Sequence, residues 1–402
     1  MNLLLVIHYP VFGGPHNQAL LLASSLAKGG ISLVVVLPND EASGAGSAVA
    51  RLRDGGLDVI TVPLSRARAT LNPGRQLRFF AHVPRDVREL RRIIRSRNID
   101  LVQIGGLVNP QGAIAARLEN VPVIWQLLDT RAPMVVRRLL MPLVLGLSDV
   151  VMSTGRTVAT VHPGADRLGD QLRVFFPPVD PVHFDADRVD RDAARRDFGF
   201  APGDRVVGTI GNLNPQKGHE FLLRAAASVR RRARNVKVLV VGASHETHRA
   251  YERELYQLCH RLQMQVGSDV VFAGGVGDVR PALAAMDIFV MASVPYSEGA
   301  PTALEEAMLM KLPVVATEVG SVREMIDHGE NGFIVPSKDA DALAVTVLHI
   351  LGNPEVRAEL GPRARDRAIA RFSAEECARV HLDAYEYALA RQKRTRATEA
   401  RA

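Results

Sequence analysis

The sequence predicts an α/β protein of two doubly wound, Rossmann-like domains facing each other across a cleft. Two observations carry that expectation. Short Val- and Ile-rich runs alternate with segments of helix length, the pattern of a parallel sheet covered on both faces. That alternation also stops at a proline-rich joint and then starts again. Size agrees, since 402 residues at 47% hydrophobic can bury the cores of two or three domains.

In chain order, the first series places strands at 2–8, 31–37, 58–62, 101–104, 121–127, 149–153 and 172–176. Helices fill 16–28, 75–97, 111–119 and 133–145. The joint is FFPPVDPVHF, residues 175–184, where adjacent prolines and a third after Asp180 forbid a helix and favour extended chain. The second series then places strands at 206–210, 236–241, 269–272, 288–291 and 313–316, with helices at 217–234, 247–264, 301–311 and 337–351. The expected domains are 1–176 and 191–372 around a linker at 177–190. Residues 373–402 close the chain with an amphipathic helix to about residue 391, packing back toward the first domain, and a frayed RQKRTRATEARA tail.

Composition narrows the function classes. At 23% charged residues the chain reads as a soluble globular protein. Its longest apolar candidate, 139–152, is broken by Pro142, Gly146 and Asp149, so no membrane span is expected. MNLLLVIHYP lacks a basic leader and reads as a buried first strand, not a signal peptide. Cys259 and Cys377 lie far apart without zinc or redox spacing, which fits a reduced cytoplasmic protein. The net charge of +7 is concentrated in Arg66 to Arg97, where ten arginines face only Asp86 and Glu89. That segment is either an Arg-rich surface helix or one drawn to an anionic membrane, which would place the protein at the inner face of the plasma membrane. Nucleic acid is disfavoured, since only Phe79 and Phe80 are interleaved with the arginines.

Two stretches of the second series carry candidate chemistry. VVGTIGNLNPQKGHEFLLRAA, residues 206–226, is strand, glycine turn and helix, with Lys217 where the helix begins. An ammonium opposes the helix dipole there unless an anion lies between them, although a solvated βα-loop lysine would look the same. The P-loop order is not met, because Lys217 precedes Gly218. YSEGAPTALEEAM, residues 296–308, is a loop leading into a helix that starts near Pro301. First-turn N–H groups of Gly299, Ala300, Thr302 and Ala303 offer a phosphate site. Thr302 and Glu305 match a capping box, which accounts for Glu305 but not for Glu298 or Glu306. Those two carboxylates suit sugar and ribose hydroxyls. VVFAGGV, 270–276, ends a strand in two glycines, so backbone at Gly275 and Val276 can approach a flat base. In EVGSVREMIDHGENGFIVP, 318–336, Gly320 opens a further turn and helix holding Glu324.

In sequence, GNLNPQKGHEFLLRA, FAGGV, SEGAPTALEEAMLMKLPVVATEVGSVREMI and GENGFIVP closely resemble retaining glycosyltransferases of the family-four type, which have the GT-B fold. The resemblance covers the second domain almost throughout and reaches the Phe12-Gly13-Gly14 turn and the linker. It implies a nucleoside-diphosphate-sugar donor held by the second domain and an acceptor on the side of the first. In such enzymes two glutamates in EX7E spacing flank the donor. Glu306 would bind the ribose, Glu298 would lie near the transferred sugar, Lys217 would neutralise the leaving diphosphate and Val276 would meet the base through its backbone. Catalysis would be retaining, with no metal and no cofactor. Donor contacts are expected from Gly14, Gly211, Asn212, Gly275, Gly299, Ala300, Thr302 and Ala303 as well, and acceptor contacts from Gly13, His16 and Asp129.

The chain departs from the family pattern twice. Asn212 stands where an arginine often follows the first glycine, and Leu128 stands where many members carry a histidine. The missing imidazole leaves three readings open: a different donor, a role for neighbouring Gln126 or Asp129, or weak activity. His245 and His248 read as solvated residues, since no third metal ligand accompanies them. Two other classes stay open from the residues themselves, a nucleotide-sugar epimerase and a non-catalytic nucleotide-sugar-binding protein.

Overall fold

A computed structural model describes residues 1–39, 47–66, 73–244 and 246–399. Residues 67–72 of the basic segment, His245 and the last three residues of the tail lie outside that description. The chain divides into unit 1, Met1–Pro178 with Ala374–Ala402, and unit 2, Val179–Ser373.

Unit 1 alternates β1 (Asn2–Val6), α1 (Gly14–Lys28), β2 (Ser32–Pro38), α2 (Ala48–Asp54), β3 (Asp58–Val62), α3 (Pro73–Ser96), β4 (Leu101–Gly105), α4 (Gln111–Leu118), β5 (Val123–Leu127), α5 (Met134–Leu147), β6 (Val150–Ser153), α6 (Arg156–Thr160) and β7 (Leu172–Val174). The strands form one parallel sheet in the order β3-β2-β1-β4-β5-β6-β7. In β1, Leu3 pairs with Leu33 on one side and Leu101 on the other. Every residue of β5, VIWQL, is buried, as a strand covered on both faces requires.

Unit 2 continues with α7 (Arg191–Asp197), β8 (Arg205–Ile210), α8 (His219–Arg230), β9 (Val236–Val241), α9 (Arg249–Arg261), β10 (Val270–Gly274), α10 (Arg280–Ala285), β11 (Ile288–Met291), α11 (Thr302–Leu309), β12 (Val314–Thr317), α12 (Val322–Met325), β13 (Phe333–Val335), α13 (Ala340–Gly352) and α14 (Pro354–Phe372). Its parallel sheet runs β10-β9-β8-β11-β12-β13. In both sheets the order reverses beside the first strand of the unit, β1 or β8, and loops at the carboxyl ends of neighbouring strands gather there.

α15 (Ala374–Glu399) returns the chain to unit 1. Helices α3, α4 and α5 share one hydrophobic cluster with one face of the sheet. On the other face, α1 and α2 cover β1 to β3, and α15 packs Cys377, Ala384, Tyr385 and Ala388 against Leu101, Ile124, Met152 and Phe175. The tail expected to fray is helical as far as Glu399. It contains neither Gly nor Pro in that stretch, and Gln392 and Arg396 both donate to the Asn120 carbonyl.

The helix expected over 217–234 begins instead at His219, because Lys217 closes a separate 3-10 turn and Gly218 caps the helix at φ +61°. A Cβ on Gly218 would come within 2.1 Å of the Ala292 carbonyl, so only glycine joins these segments without displacing the chain. The elements not expected include the short helices α2, α6, α7 and α10, the three-residue β13 and the 19-residue α14. Gly361-Pro362 in α14 looks like a helix breaker. Gly361 is there because α14 lies against the end of α11: a Cβ would approach the Lys311 carbonyl at 2.1 Å.

Candidate active site

The loops after β8 and β11 are tied together before any ligand is considered. Asn214 caps the 3-10 turn by accepting from Gln216 N at 2.9 Å, and Val294 N donates to the Gln216 carbonyl at 3.0 Å. This brings Lys217 against the β11 loop. Its Nζ donates to Glu298 Oε1 at 2.8 Å, with Lys217 partly exposed and Glu298 buried. The lysine stem passes over Gly211, where a Cβ would meet it at 3.2 Å. The anion facing this lysine is therefore a carboxylate of the protein itself.

Glu298 has a second donor. Ser293 Oγ, fully buried, lies 2.6 Å from the same Oε1. Ser293 is itself fixed, because its carbonyl accepts Thr317 Oγ1 at 2.6 Å and Ser337 Oγ at 3.0 Å. β11 ends at Met291, so its following carbonyls leave the sheet ladder, and hydroxyls from two other segments replace the lost donors. Tyr296 adopts φ +62°, uncommon for a bulky residue, at the turn that carries the chain to Glu298. Gly299 is held in turn, its carbonyl accepting Ser321 N at 2.9 Å. Gly320, at φ +52°, would place a Cβ 2.3 Å from that carbonyl.

Helix α11 starts at Thr302 with Pro301 as its N-cap and no side-chain cap. The capping box expected from Thr302 and Glu305 is therefore absent. The helix begins one residue early for it, and proline offers no side-chain acceptor. Glu305 is instead fully buried, and neither carboxyl oxygen has a hydrogen-bond partner. Burial, and then the neighbouring Glu306, push its carboxyl well above the ordinary range, so it is held as the acid. Glu306 keeps part of its surface exposed, yet burial pushes its carboxyl up to about 7. Thr302 and Ala303 leave first-turn N–H groups without helical acceptors.

Glycines of the neighbouring loops draw them close. Gly242, at φ +149°, would bring a Cβ 2.1 Å from the Gly211 carbonyl. Gly242 N donates to the Gly274 carbonyl at 2.8 Å, and Gly275 lies against Ala243. Val276 follows, partly exposed. His219 is buried and neutral. Its Nε2 reaches the Asn212 carbonyl at 3.2 Å, and burial, with Lys217 adding to the effect, lowers its pKa to about 4. Lys217, Glu298, Gly211, Asn212, Gly275, Val276, Gly299, Ala300, Thr302, Ala303 and Glu306 thus all sit on the carboxyl-end loops of unit 2 or at the start of α11.

The unit 1 candidates are arranged differently. His16 is fully buried, with Nδ1 accepting from Gly13 N at 3.2 Å and Nε2 donating to the Tyr9 carbonyl at 3.0 Å. Both ring nitrogens are used inside their own loop, so the imidazole shapes the Gly13-Gly14 turn. Gly14 faces open space. Asp129 accepts from the Arg131 backbone at 3.0 Å and pairs with its guanidinium at 3.1 Å. Gln126 is a correction. It is buried and its amide reaches His381 Nε2 at 3.1 Å, so it belongs to the α15 packing and does not replace the missing imidazole. Leu128 packs in the same cluster. In the basic segment, Arg91 and Arg95 both bond Glu119, Arg92 bonds Glu89 and Arg97 bonds Asp58.

Residues 13–184 match the family described as "Glycosyl transferase 4-like domain", and residues 204–353 match "Glycosyl transferases group 1". The D-inositol 3-phosphate glycosyltransferase of Saccharomonospora viridis is 31% identical over 258 residues, 61% of this chain and 59% of that protein. The GDP-mannose-dependent alpha-(1-6)-phosphatidylinositol monomannoside mannosyltransferase of Mycolicibacterium smegmatis is 30% identical over 230 residues, 55% of this chain and 58% of that protein. The chain thus spans less than two thirds of the length of these curated relatives. HepE of Anabaena, crystallised with UDP, has a TM-score of 0.78 at 22% identity, covering 94% of this chain and 98% of that one. That likeness establishes the fold, which is GT-B.

Proposed function

Each unit of the chain belongs to a glycosyltransferase domain family, and from that premise we propose that the protein moves a sugar from a nucleoside-diphosphate-sugar donor to an acceptor, with retention and without a metal ion. The observation that carries this reading is the Lys217–Glu298 pair, held by Ser293 on the loops where such a donor would lie. The pair is the resting state. A diphosphate, with more negative charge than one carboxylate, draws the Lys217 ammonium to itself, while Ser293 keeps Glu298 in place to receive hydroxyls of the transferred sugar. Thr302 and Ala303 N–H groups, with the Gly299-Ala300 backbone, take phosphate oxygens at the start of α11. Gly211 and Asn212 line the same diphosphate, Glu306 accepts from the ribose hydroxyls, and backbone at Gly275 and Val276 meets the base.

As the bond between the anomeric carbon and the diphosphate oxygen breaks, charge grows on the leaving phosphate. Donors already aimed at that charge stabilise the transition state more than the ground state. Gly14 contributes backbone toward the donor, and Gly13, His16 and Asp129 mark the acceptor side, His16 acting through the turn it holds. One of the similar proteins is named as GDP-mannose-dependent and another was crystallised with UDP, so UDP and GDP sugars are the donors to try first.

The test is a thermal-shift screen over UDP- and GDP-sugars, followed by turnover of the best donor. A bound donor at about 100 times its Kd raises stability by about 2.7 kcal/mol. Lys217→Ala is expected to lower turnover by about 100-fold or more, with acceptor KM little changed. Chelator should leave the wild-type rate unaltered. Wild-type turnover in Lys217→Ala would reject the proposed role.

A further inference from the structure

Helix α5 is built inside out. Its outward positions are Met134, Val135, Arg138, Leu139, Pro142, Leu143 and Gly146, while Arg137 points inward beside Met141 and Val144. Val135 is 68% exposed and Leu139 72%, values that a surface helix ordinarily reserves for charged side chains. Val135, Leu139 and Leu143 follow one another at four-residue steps, so they form one stripe. The buried Arg137 spends its guanidinium on the Ala132 and Val161 carbonyls, which leaves Arg138 as the charge of the outer face. A stripe of this kind needs a cover.

Helix α3 carries a second patch, with α4 packed against both α3 and α5. It follows β3 as α5 follows β5, so both helices start at the carboxyl edge of the unit 1 sheet, and both pack on the same face. At 24 residues α3 is about 36 Å long, against about 17 Å for a five-residue strand, so its first turns overhang that edge. The overhang exposes Leu77 at 73% and Phe80 at 66%, with Arg78, Arg85 and Arg88 exposed beside and below them. On α5 the exposed charge of the outer face is Arg138, while Arg131 just before the helix is paired with Asp129, and no acidic residue occurs between Asp129 and Asp149.

We propose that the outer face of α5 and the overhang of α3 dock unit 1 on an anionic lipid bilayer, the apolar side chains entering the headgroup layer and the arginines pairing with lipid phosphates. No helix among the described residues is long and apolar enough to cross a membrane, so the attachment is peripheral. Charge selects this occupant over an uncharged apolar partner, since the exposed charges beside the apolar side chains, Arg138 on α5 and Arg78, Arg85 and Arg88 on α3, are all basic. Size selects it over a second copy of the chain. The 14-residue α5 face and the first turns of α3 together cover about 300 Å², far below the roughly 800 Å² per partner of a stable interface, whereas interfacial insertion needs only a few side chains. Several arginines of the basic segment, 91, 92, 95 and 97, are spent inside the protein, so the surface rests on α5 and not on net charge alone.

The test is co-sedimentation with vesicles and involves no sugar transfer, so it stands apart from the glycosyltransferase reading. Wild-type protein should bind phosphatidylglycerol-containing vesicles at low salt and pure phosphatidylcholine vesicles much less. Val135→Glu with Leu139→Glu should weaken binding at least about tenfold while keeping the wild-type Tm, because both side chains are exposed. Arg85→Glu with Arg138→Glu should remove much of the salt dependence. No wild-type binding at low salt overturns the proposal, as does unchanged binding of the Val135/Leu139 variant. A wild-type dimer that this variant splits into monomers would overturn it in favour of self-association.

Discussion

At the residue scale, the site depends on side chains that differ in how legible they are. Lys217 and the Glu298/Glu306 spacing stand out in the sequence, because a lysine at a glycine turn and two acids around a helix start are local patterns. Ser293 does not. Its role arises only when Thr317 and Ser337, 24 and 44 residues further on, meet its carbonyl. Ser293→Ala should lower turnover roughly tenfold while UDP or GDP affinity stays near wild type, and Ser293→Thr should restore part of the loss. Equal losses of kcat and nucleotide affinity would argue against a positioning role. Glu305 was legible but misread, since one residue of shift in the helix start removes the cap. Replacing this unpartnered acid by Leu should raise stability by about 1–3 kcal/mol, seen as a higher Tm. For Glu306, with a pKa of about 7, a ribose needs the ionised form. Nucleotide affinity should therefore rise with pH through about 7, and be roughly tenfold weaker at pH 6 than at pH 8. A flat calorimetric profile would contradict the ribose assignment.

At the element scale, strands β1 to β12 were legible because each is a compact Val/Ile run, while β13 is too short and α14 too interrupted to announce itself. The destination of α15 follows from the sheet. Helices α4 and α5 both lie on the α3 face, so without α15 the residues Ile124, Met152 and Phe175 would have no cover. Polar contacts fix its register: Tyr385 Oη donates to Gln103 Oε1 at 2.6 Å, and His381 Nδ1 donates to the Cys377 carbonyl while Nε2 accepts from Gln18 at 3.2 Å and Gln126 at 3.1 Å. Tyr385→Phe should cost about 1–2 kcal/mol in urea unfolding, leaving Gln103 without its buried donor. Ending the chain at Ser373 should cost far more and abolish the cooperative transition of unit 1. An unchanged transition would mean that the helix is an accessory.

At the scale of the whole molecule, both units share an acid weakness to different degrees. His8, His219 and His381 are buried with pKa values lowered to about 4, chiefly by burial. A lowered histidine pKa leaves stability intact above about 6.5 and removes it as pH falls toward 4, up to about 3 kcal/mol per group. Glu305 and Glu306 act in the opposite sense, since their raised values penalise folding as pH rises past 4.5. Unit 1 holds two of these histidines and neither acid, so it should unfold first on acidification. Trp125, the single tryptophan, is buried in unit 1 and reports on it alone. Its fluorescence should change at a higher pH than the far-ultraviolet dichroism as a whole. The return of α15 has a further consequence, for synthesis on the ribosome. Unit 2 is contiguous and can fold as soon as it emerges, whereas unit 1, although translated first, must wait nearly 200 residues for its last helix. The amino-terminal half is thus the last to finish, and until then its bare sheet face is what a chaperone would see.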